Sequence, residues 1–368
     1  MNKTITALAI MMASFAANAS VLPETPVPFK SGTGAIDNDT VYIGLGSAGT
    51  AWYKLDTQAK DKKWKALAAF PGGPRDQATS AFIDGNLYVF GGIGKNSEGL
   101  TQVFNDVHKY NPKTNSWVKL MSHAPVGMAG HVTFVHNGKA YVTGGVNQNI
   151  FNGYFEDLNE AGKDQTAVDK INAHYFDKKA EDYFFNKFLL SFDPSTQQWS
   201  YAGESPWYGT AGAAVVNKGD KTWLINGEAK PGLRTDAVFE LDFTGNNLKW
   251  NKLDPVSSPD GVAGGFAGVS NDSLIFAGGA GFKGSRENYQ NGKNYAHEGL
   301  KKSYSADIHL WHNGKWDKSG ELSQGRAYGV SLPWNNSLLI IGGETAGGKA
   351  VTDSVLITVK DNKVTVQN

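Results

Sequence analysis

Two residues, Glu228 and Arg234, have the types and the spacing for acid–base chemistry on an anionic substrate. Glu228 directly follows Asn226-Gly227 at the end of an apolar run, and Arg234 lies six residues farther along. A carboxyl group where water is restricted can have a raised pKa, which suits it to exchange a proton. An arginine beside it can bind a carboxylate through two parallel hydrogen bonds. Alternatively, the two residues form an ordinary ion pair at the rim of the fold and have no catalytic role.

Other polar residues occupy loops at related places along the chain. Glu344 follows a Gly-Gly pair at the place where Glu228 follows Asn-Gly. Each candidate could bind a carboxylate or act as the acid, although loop arginines and histidines often have structural roles. We prefer Arg326 and His131 among them. The candidates for substrate binding, besides Arg234, are Arg75, His131, Arg286, Arg326 with its neighbour Tyr328, and Glu344.

The elements that must position these residues are six copies of one pattern. A short apolar run ends in glycine, as in Leu87 to Gly92, and the last glycine of the copies falls at 46, 92, 145, 227, 279 and 343. Such runs are typical of strands buried on both faces. A tryptophan follows in five copies, at 64, 117, 199, 250 and 316, and is expected to cover the boundary between neighbouring units. The pattern resembles the kelch repeat and predicts an all-β, six-bladed β-propeller.

Ring closure and two insertions complete this prediction. Residues 363–366 are expected to supply the missing outer strand of the sixth copy, with the two termini meeting in that blade. The insertions, about 147–185 and 280–305, both follow a Gly-Gly pair, so they should leave one face and wall a cavity around the axis. Val168, Ile171 and Tyr175 share a helical face, which predicts a short helix within 156–179 over one end of the ring. Surface loops without function are the alternative.

The first 19 residues have the layout of a secretory signal peptide. Lys3 precedes a short apolar run, and Ala17-Asn18-Ala19 forms a cleavage site. We therefore expect an exported protein in which 20–368 form a single propeller domain. No later stretch is long and apolar enough for a membrane helix, so no membrane partner is predicted.

Composition excludes several kinds of function. Lys plus Arg and Asp plus Glu both number 35, so the chain has no basic excess for nucleic acid. Cysteine is absent, which excludes disulfides, thiolate nucleophiles and the Tyr–Cys crosslink of galactose-oxidase-like copper enzymes. No HxxxH motif occurs, and His309 and His312 would point to opposite faces of a strand, so no metal site is predicted.

The leader, the six repeats, the insertions and Asn226-Gly227-Glu228 with Arg234 together resemble the bacterial sialic acid mutarotases, also called N-acetylneuraminate epimerases. The resemblance covers essentially the whole mature chain. It implies a periplasmic enzyme that interconverts the α and β anomers of N-acetylneuraminate without a cofactor. It further implies that Glu228 is the proton acceptor and that Arg234 binds the substrate. The sequence is compatible with a homodimer.

Two other functions stay open at this stage. A kelch ring can be a protein- or glycan-binding module without catalysis, because a fold does not determine a function. A sialidase-like hydrolase is also six-bladed. Ser191 to Ser195 faintly resembles the Asp-box turn of sialidases, but this segment lacks the expected glycine and does not recur.

Overall fold

The computed structural model describes residues 21–245 and 248–368, and these residues form the predicted six-bladed β-propeller. The predicted leader lies outside them. Each blade is a four-stranded antiparallel sheet whose strands are neighbours in the order of the chain. Blade 1 contains Thr33–Asp37, Thr40–Gly44, Trp52–Asp56 and Lys65–Ala66; blade 2 contains Thr79–Ile83, Asn86–Phe90, Asp106–Asn111 and Ser116–His123; blade 3 contains His131–His136, Lys139–Gly144, Phe188–Asp193 and Gln198–Glu204. Blade 4 contains Ala214–Lys218, Lys221–Ile225, Val238–Asp242 and Lys249–Leu253; blade 5 contains Phe266–Ser270, Ser273–Ala277, Asp307–His312 and Lys315–Glu321; blade 6 contains Val330–Trp334, Ser337–Ile341, Ser354–Lys360 and Lys363–Gln367.

The first strands of the blades surround the axis. Each contacts the first strand of the next blade, and that of blade 6 contacts that of blade 1, so the ring is closed. One or two residues before each first strand lies a residue with positive φ. We call these six residues the axial ring; they are Ser31, Gln77, Gly130, Gly212, Gly264 and Tyr328.

Backbone hydrogen bonds join members of the axial ring from blade to blade. The N–H of Gly264 donates to the carbonyl of Gly212 at 2.8 Å, and the N–H of Tyr328 donates to Gly264 at 2.8 Å. Ser31 donates to Tyr328 across the junction of blades 6 and 1, also at 2.8 Å. The axial ring therefore holds adjacent blades at one depth along the axis.

The core consists of wedges between blades. One buried cluster joins Phe90 and Val107 of blade 2 to Val142 and Phe192 of blade 3, and comparable clusters lie at the other five boundaries. The repeated tryptophans lie at these boundaries, as predicted. Trp117 of blade 2 donates its indole N–H to the carbonyl of Ala68, in the segment after blade 1, at 2.9 Å. Burying these apolar faces is what makes a closed ring more stable than separate blades.

The two termini lie together at blade 6, as expected. Lys363–Gln367 is the outer strand of that blade. The N-terminal segment does not add a strand to the sheet. Instead, the N–H of Phe29 donates to the carbonyl of Val351 at 3.0 Å, and Leu22 is buried in the same cluster as Leu356. Residues 22–29 thus help to close the ring by packing and a few backbone hydrogen bonds.

Short strands follow the second strands of blades 2, 4, 5 and 6. In blade 2 they are Ile93–Lys95 and Thr101–Val103, which Arg75–Asp76, from before the first strand of that blade, joins in one sheet. In the other three blades they are the two-stranded pairs Glu228–Lys230 with Leu233–Arg234, Ala280–Phe282 with Lys302–Tyr304, and Glu344–Thr345 with Lys349–Ala350. Three 3₁₀ turns are Gly46–Ala48, Ala180–Tyr183 and Ala346–Gly348.

The insertion after blade 3's second strand contains two helices, whereas the sequence predicted one. They are α1 (Gln148–Ala161) and α2 (Gln165–Phe176). The side chain of Asn147 caps α1, and that of Asp164 accepts hydrogen bonds from two N–H groups of α2. The hydrophobic periodicity within 156–179 did not predict α1. The aromatic residues of α1 have weak intrinsic helix propensity, and packing of their side chains stabilises the helix here. A third helix, α3 (Ser285–Gln290), lies in the second insertion.

No helix within residues 21–245 and 248–368 has the length and apolar character needed to cross a bilayer.

Candidate active site at the axial end of blade 4

Glu228 and Arg234 lie directly opposite each other in a short hairpin. We call this element the site hairpin; its strands are Glu228–Lys230 and Leu233–Arg234, joined by a turn at Pro231 and Gly232. Both backbone groups of Glu228 bond to Ala211, with the N–H donating at 2.8 Å and the carbonyl accepting at 3.0 Å. Because Ala211 precedes Gly212 of the axial ring, the hairpin starts beside the axis.

The two side chains form an ion pair, which is more buried on the arginine side. Arg234 Nη1 contacts Glu228 Oε2, and the side chains are 7% and 22% exposed, respectively. Arg234 is also oriented by its Nε, which donates to the carbonyl of Ala280 at 3.3 Å, and its guanidinium lies 5.3 Å from the centre of the Phe282 ring. The guanidinium is therefore held in place, while the carboxylate keeps an open side.

A second carboxylate, Glu344, occupies the corresponding place in blade 6. Its backbone bridges Ala327 as Glu228 bridges Ala211. Lys30 Nζ lies 2.6 Å from Oε2, while Lys302 Nζ and the Tyr304 hydroxyl contact Oε1. Burial by itself would raise the pKa of Glu344, but the hydrogen bonds from these three partners lower it to about 2. We call these four residues the Glu344 cluster; two ammonium groups around one carboxylate leave it with an excess positive charge.

Tyr328 connects the Glu344 cluster to the site hairpin. Its hydroxyl lies 3.5 Å from Arg234 Nη2, and the centre of its ring lies 5.4 Å from Lys302 Nζ. The structure therefore brings four of the sequence candidates together, namely Glu228, Arg234, Tyr328 and Glu344.

Arg75 and Arg326 are placed differently from what the sequence suggested. Both are buried at the same position of their blades, before the axial ring residue. Arg75 donates to Asp106 at 2.5 and 2.9 Å, and Arg326 donates to Asp353 at 2.6 Å. Each also donates to the carbonyl of the first glycine of a Gly-Gly pair. These contacts occupy the guanidinium groups in fastening the blade, so neither lies with Glu228 and Arg234.

His131 and Arg286 also lie apart from the ion pair. His131 begins the first strand of blade 3, with Nε2 at 2.6 Å from the Thr79 hydroxyl, and burial lowers its pKa to about 3. Arg286 Nη1 donates to Asp236 at 2.9 Å. Their contacts indicate a neutral buried histidine and a rim ion pair.

Lys230 is a residue that sequence reasoning missed. It is fully buried near the tip of the site hairpin, where Nζ donates to the carbonyls of Phe176 at 2.8 Å and Asn294 at 2.6 Å, and to that of Lys178. Phe176 and Lys178 belong to the first insertion and Asn294 to the second. The two insertions therefore lie on the same face, as predicted, and they meet over the hairpin, where one ammonium group fastens both to it.

Lys30, Lys302 and Tyr304 were missed as well. Lys302 and Tyr304 lie within the second predicted insertion, and this position was the one sequence feature that could have identified them. No sequence feature pointed to Lys30, because its partner Glu344 is 314 residues away. Among the residues that the structure describes, no group of three or more His, Asp or Glu side chains could hold a metal ion.

Comparison with known proteins shows which family the chain belongs to. The family model described as N-acetylneuraminate epimerase matches residues 22–366. The N-acetylneuraminate epimerases of Escherichia coli (strain K12) and Shigella flexneri serotype 5b (strain 8401) are each 98% identical over 100% of both chains. A solved structure titled "Structure of YjhT" superposes with a TM-score of 0.94 at 98% identity, covering 95% of this chain and 100% of that chain. The sequence resemblance is thereby confirmed, and the chain belongs to the N-acetylneuraminate epimerase family.

Proposed function

We propose that this protein interconverts the α and β anomers of N-acetylneuraminate, with Glu228 as the proton acceptor and Arg234 as the ligand of the sugar's C1 carboxylate. The observation that carries these roles is the register of the site hairpin, in which the two residues are direct partners beside the axis. Family membership supports the reaction and the substrate.

The reaction needs only proton transfers. Glu228 takes the proton of the anomeric hydroxyl, the electron pair forms the keto group, and the bond to the ring oxygen breaks as that oxygen gains a proton. Rotation about the adjacent carbon–carbon bond exposes the other face of the ketone. Closing reverses the transfers. General acid–base catalysis of this kind contributes about 10²- to 10⁴-fold in rate.

The ion pair gives the base a way to respond to substrate. In the structure Arg234 contacts Glu228, so the guanidinium engages the carboxylate that is to accept the proton. A substrate carboxylate that binds the guanidinium competes for the same donors. Binding of the sugar therefore frees Glu228 to contact the anomeric hydroxyl.

Charge around the site favours an anionic ligand. Arg234, Lys30 and Lys302 are balanced by only two carboxylates, Glu228 and Glu344. The remaining positive charge lies in a partly buried region, where it attracts anions more strongly than on an open surface. The carboxylate of the sugar supplies that anion.

The test is a proton NMR time course on freshly released α-N-acetylneuraminate. Wild-type protein should speed the appearance of the β anomer, and Glu228→Gln should lose about 10²-fold or more of that rate. Glu204→Gln, a change at an exposed carboxylate that pairs with Lys187, is the matched control. Equal rates for wild type and Glu228→Gln, with both folded, would eliminate Glu228 as the base and favour a binding module. Release of sugar from a sialoside would favour a hydrolase instead.

We also propose that the protein is exported to the periplasm after cleavage behind Ala19. The sequence layout of 1–19 supports this. N-terminal sequencing of the mature protein and fractionation of cells test it; retention of 1–19 in a cytoplasmic fraction would contradict it. The homodimer stays a prediction, which sedimentation equilibrium tests.

A further inference from the structure

Tyr328 is the one aromatic residue of the axial ring. Its φ of 57° is a left-handed conformation that bulky L residues rarely adopt. Such residues persist when surrounding contacts over-determine them, and they cluster at functional sites. The contacts of Tyr328 show what holds it in this conformation.

Backbone and neighbouring glycine hold Tyr328 in this conformation. Its N–H donates to Gly264 and its carbonyl accepts from Ser31, both at 2.8 Å. The phenol ring lies across Gly264, where an added Cβ would come within 2.5 Å of Cε1. Because Gly264 of blade 5 has no side chain, the Tyr328 ring of blade 6 fits against its backbone.

This placement directs the hydroxyl toward the catalytic pair. The hydroxyl lies 3.5 Å from Nη2 of Arg234, the guanidinium whose Nη1 contacts Glu228. Lys302 Nζ lies over the ring at 5.4 Å. The side chain is half-buried, so a ligand at the hairpin can reach it.

We propose that Tyr328 is the general acid that protonates the ring oxygen while Glu228 removes the anomeric proton. This inference rests on the proposed function of the site. In ring opening, the carbon–oxygen bond breaks toward the ring oxygen, the phenol O–H transfers its proton there, and a phenolate remains. In closure, the phenolate takes that proton back as the ring oxygen attacks the other face of the ketone, and Glu228 returns its proton to the anomeric oxygen. No other reactant is needed.

Neighbouring groups fit this role less well. The Tyr304 hydroxyl and Lys302 are both committed to Glu344. Glu344 itself is ionised, because its hydrogen bonds hold its pKa at about 2 despite burial, so it has no proton to give. A phenolate formed at Tyr328 would lie near the cations of Arg234 and Lys302, which stabilise negative charge.

The experiment compares wild type with Tyr328→Phe in the same NMR assay, across pH. The substitution keeps the ring and removes only the hydroxyl. We expect kcat to fall about 10²-fold at each pH with KM nearly unchanged. Tyr201→Phe, at an exposed tyrosine on the outer strand of blade 3, is the matched control and should behave like wild type. Tyr328→Gly, which suits the positive φ, should fold and show the same loss.

The outcomes separate the two proposals. If wild-type protein does not speed anomer exchange, the proposed function fails. If wild type is active and Tyr328→Phe retains its kcat, only the role of Tyr328 is overturned. A raised KM with unchanged kcat would likewise overturn it, because that pattern indicates binding without proton transfer.

Discussion

Gly232→Ala should disable the active site without unfolding the propeller. Gly232 lies in the turn of the site hairpin with φ +81°, and a Cβ added there would lie 1.7 Å from Nδ1 of His297. The imidazole cannot easily move away, because it packs among the rings of Phe176, Phe282 and Tyr295, whose centres lie 5.2, 5.0 and 5.0 Å from its own. The hairpin must therefore shift.

The size of the shift sets the expected loss. A methyl carbon and a ring atom are in comfortable contact at about 3.5 Å, so the hairpin and the imidazole must separate by about 1.8 Å. Misplacing catalytic groups by about 1 Å can cost about 10²-fold in rate. Since Glu228 and Arg234 are both on this hairpin, we expect the rate of anomer exchange to fall by about 10²-fold or more, measured by proton NMR.

A control substitution at a second glycine distinguishes the effect of this clash from the energetic cost of a left-handed backbone conformation. Gly99 also has φ +81° but has open space where its Cβ would be. Gly99→Ala should therefore pay the same left-handed penalty of about 1–2 kcal/mol, with nearly full activity. His297→Ala combined with Gly232→Ala should restore much of the rate. Equal activity of Gly232→Ala and Gly99→Ala would refute the reasoning.

Three further variants test other contacts. Arg75→Ala removes both guanidinium hydrogen bonds of the buried Asp106 and leaves it with the more distant Lys119 Nζ at 3.7 Å. Chemical denaturation should therefore show a free energy of unfolding about 3–5 kcal/mol lower, with unchanged anomer exchange per folded molecule. For His131, burial lowers the pKa in the folded protein to about 3, whereas the pKa in the unfolded chain is 6.5. Between these two values only the unfolded chain binds the proton, so the free energy of unfolding decreases as the pH is lowered below 6.5. His131→Gln should thus remove about 2 kcal/mol of the loss in unfolding free energy between pH 6.5 and 5; an unchanged pH slope would contradict this. Lys230→Met leaves three carbonyls without their shared donor, so hydrogen exchange of the site-hairpin amides should speed up, and unchanged protection would contradict the role of Lys230.

Local spacing was sufficient to predict that Glu228 and Arg234 lie side by side. Glu228 and Arg234 are six residues apart around Pro231-Gly232, so a tight hairpin brings them into register with few alternatives. The six apolar runs ending in glycine are local signals as well. They predicted the blades because each blade is a meander whose strands pair only with their sequence neighbours.

Local spacing failed where partners are distant. Arg75 and Arg326 sit in loops that look functional, but whether an aspartate reaches them depends on how the strands of the blade align. Asp106 lies 31 residues from Arg75, and Asp353 lies 27 residues from Arg326. No spacing rule covers such pairs.

The amino-acid sequence alone determined the number of blades, the face on which the insertions lie and the pairing of one acid with one arginine, because each depends on residues close together in the chain. Only the tertiary structure decided what surrounds that pair. Closure of the ring brings Lys30 to Glu344, and lays the Tyr328 ring from blade 6 across Gly264 of blade 5. These contacts exist only when the blades are packed around the axis, so the charge of the site and the position of the proposed proton donor are properties of the closed ring.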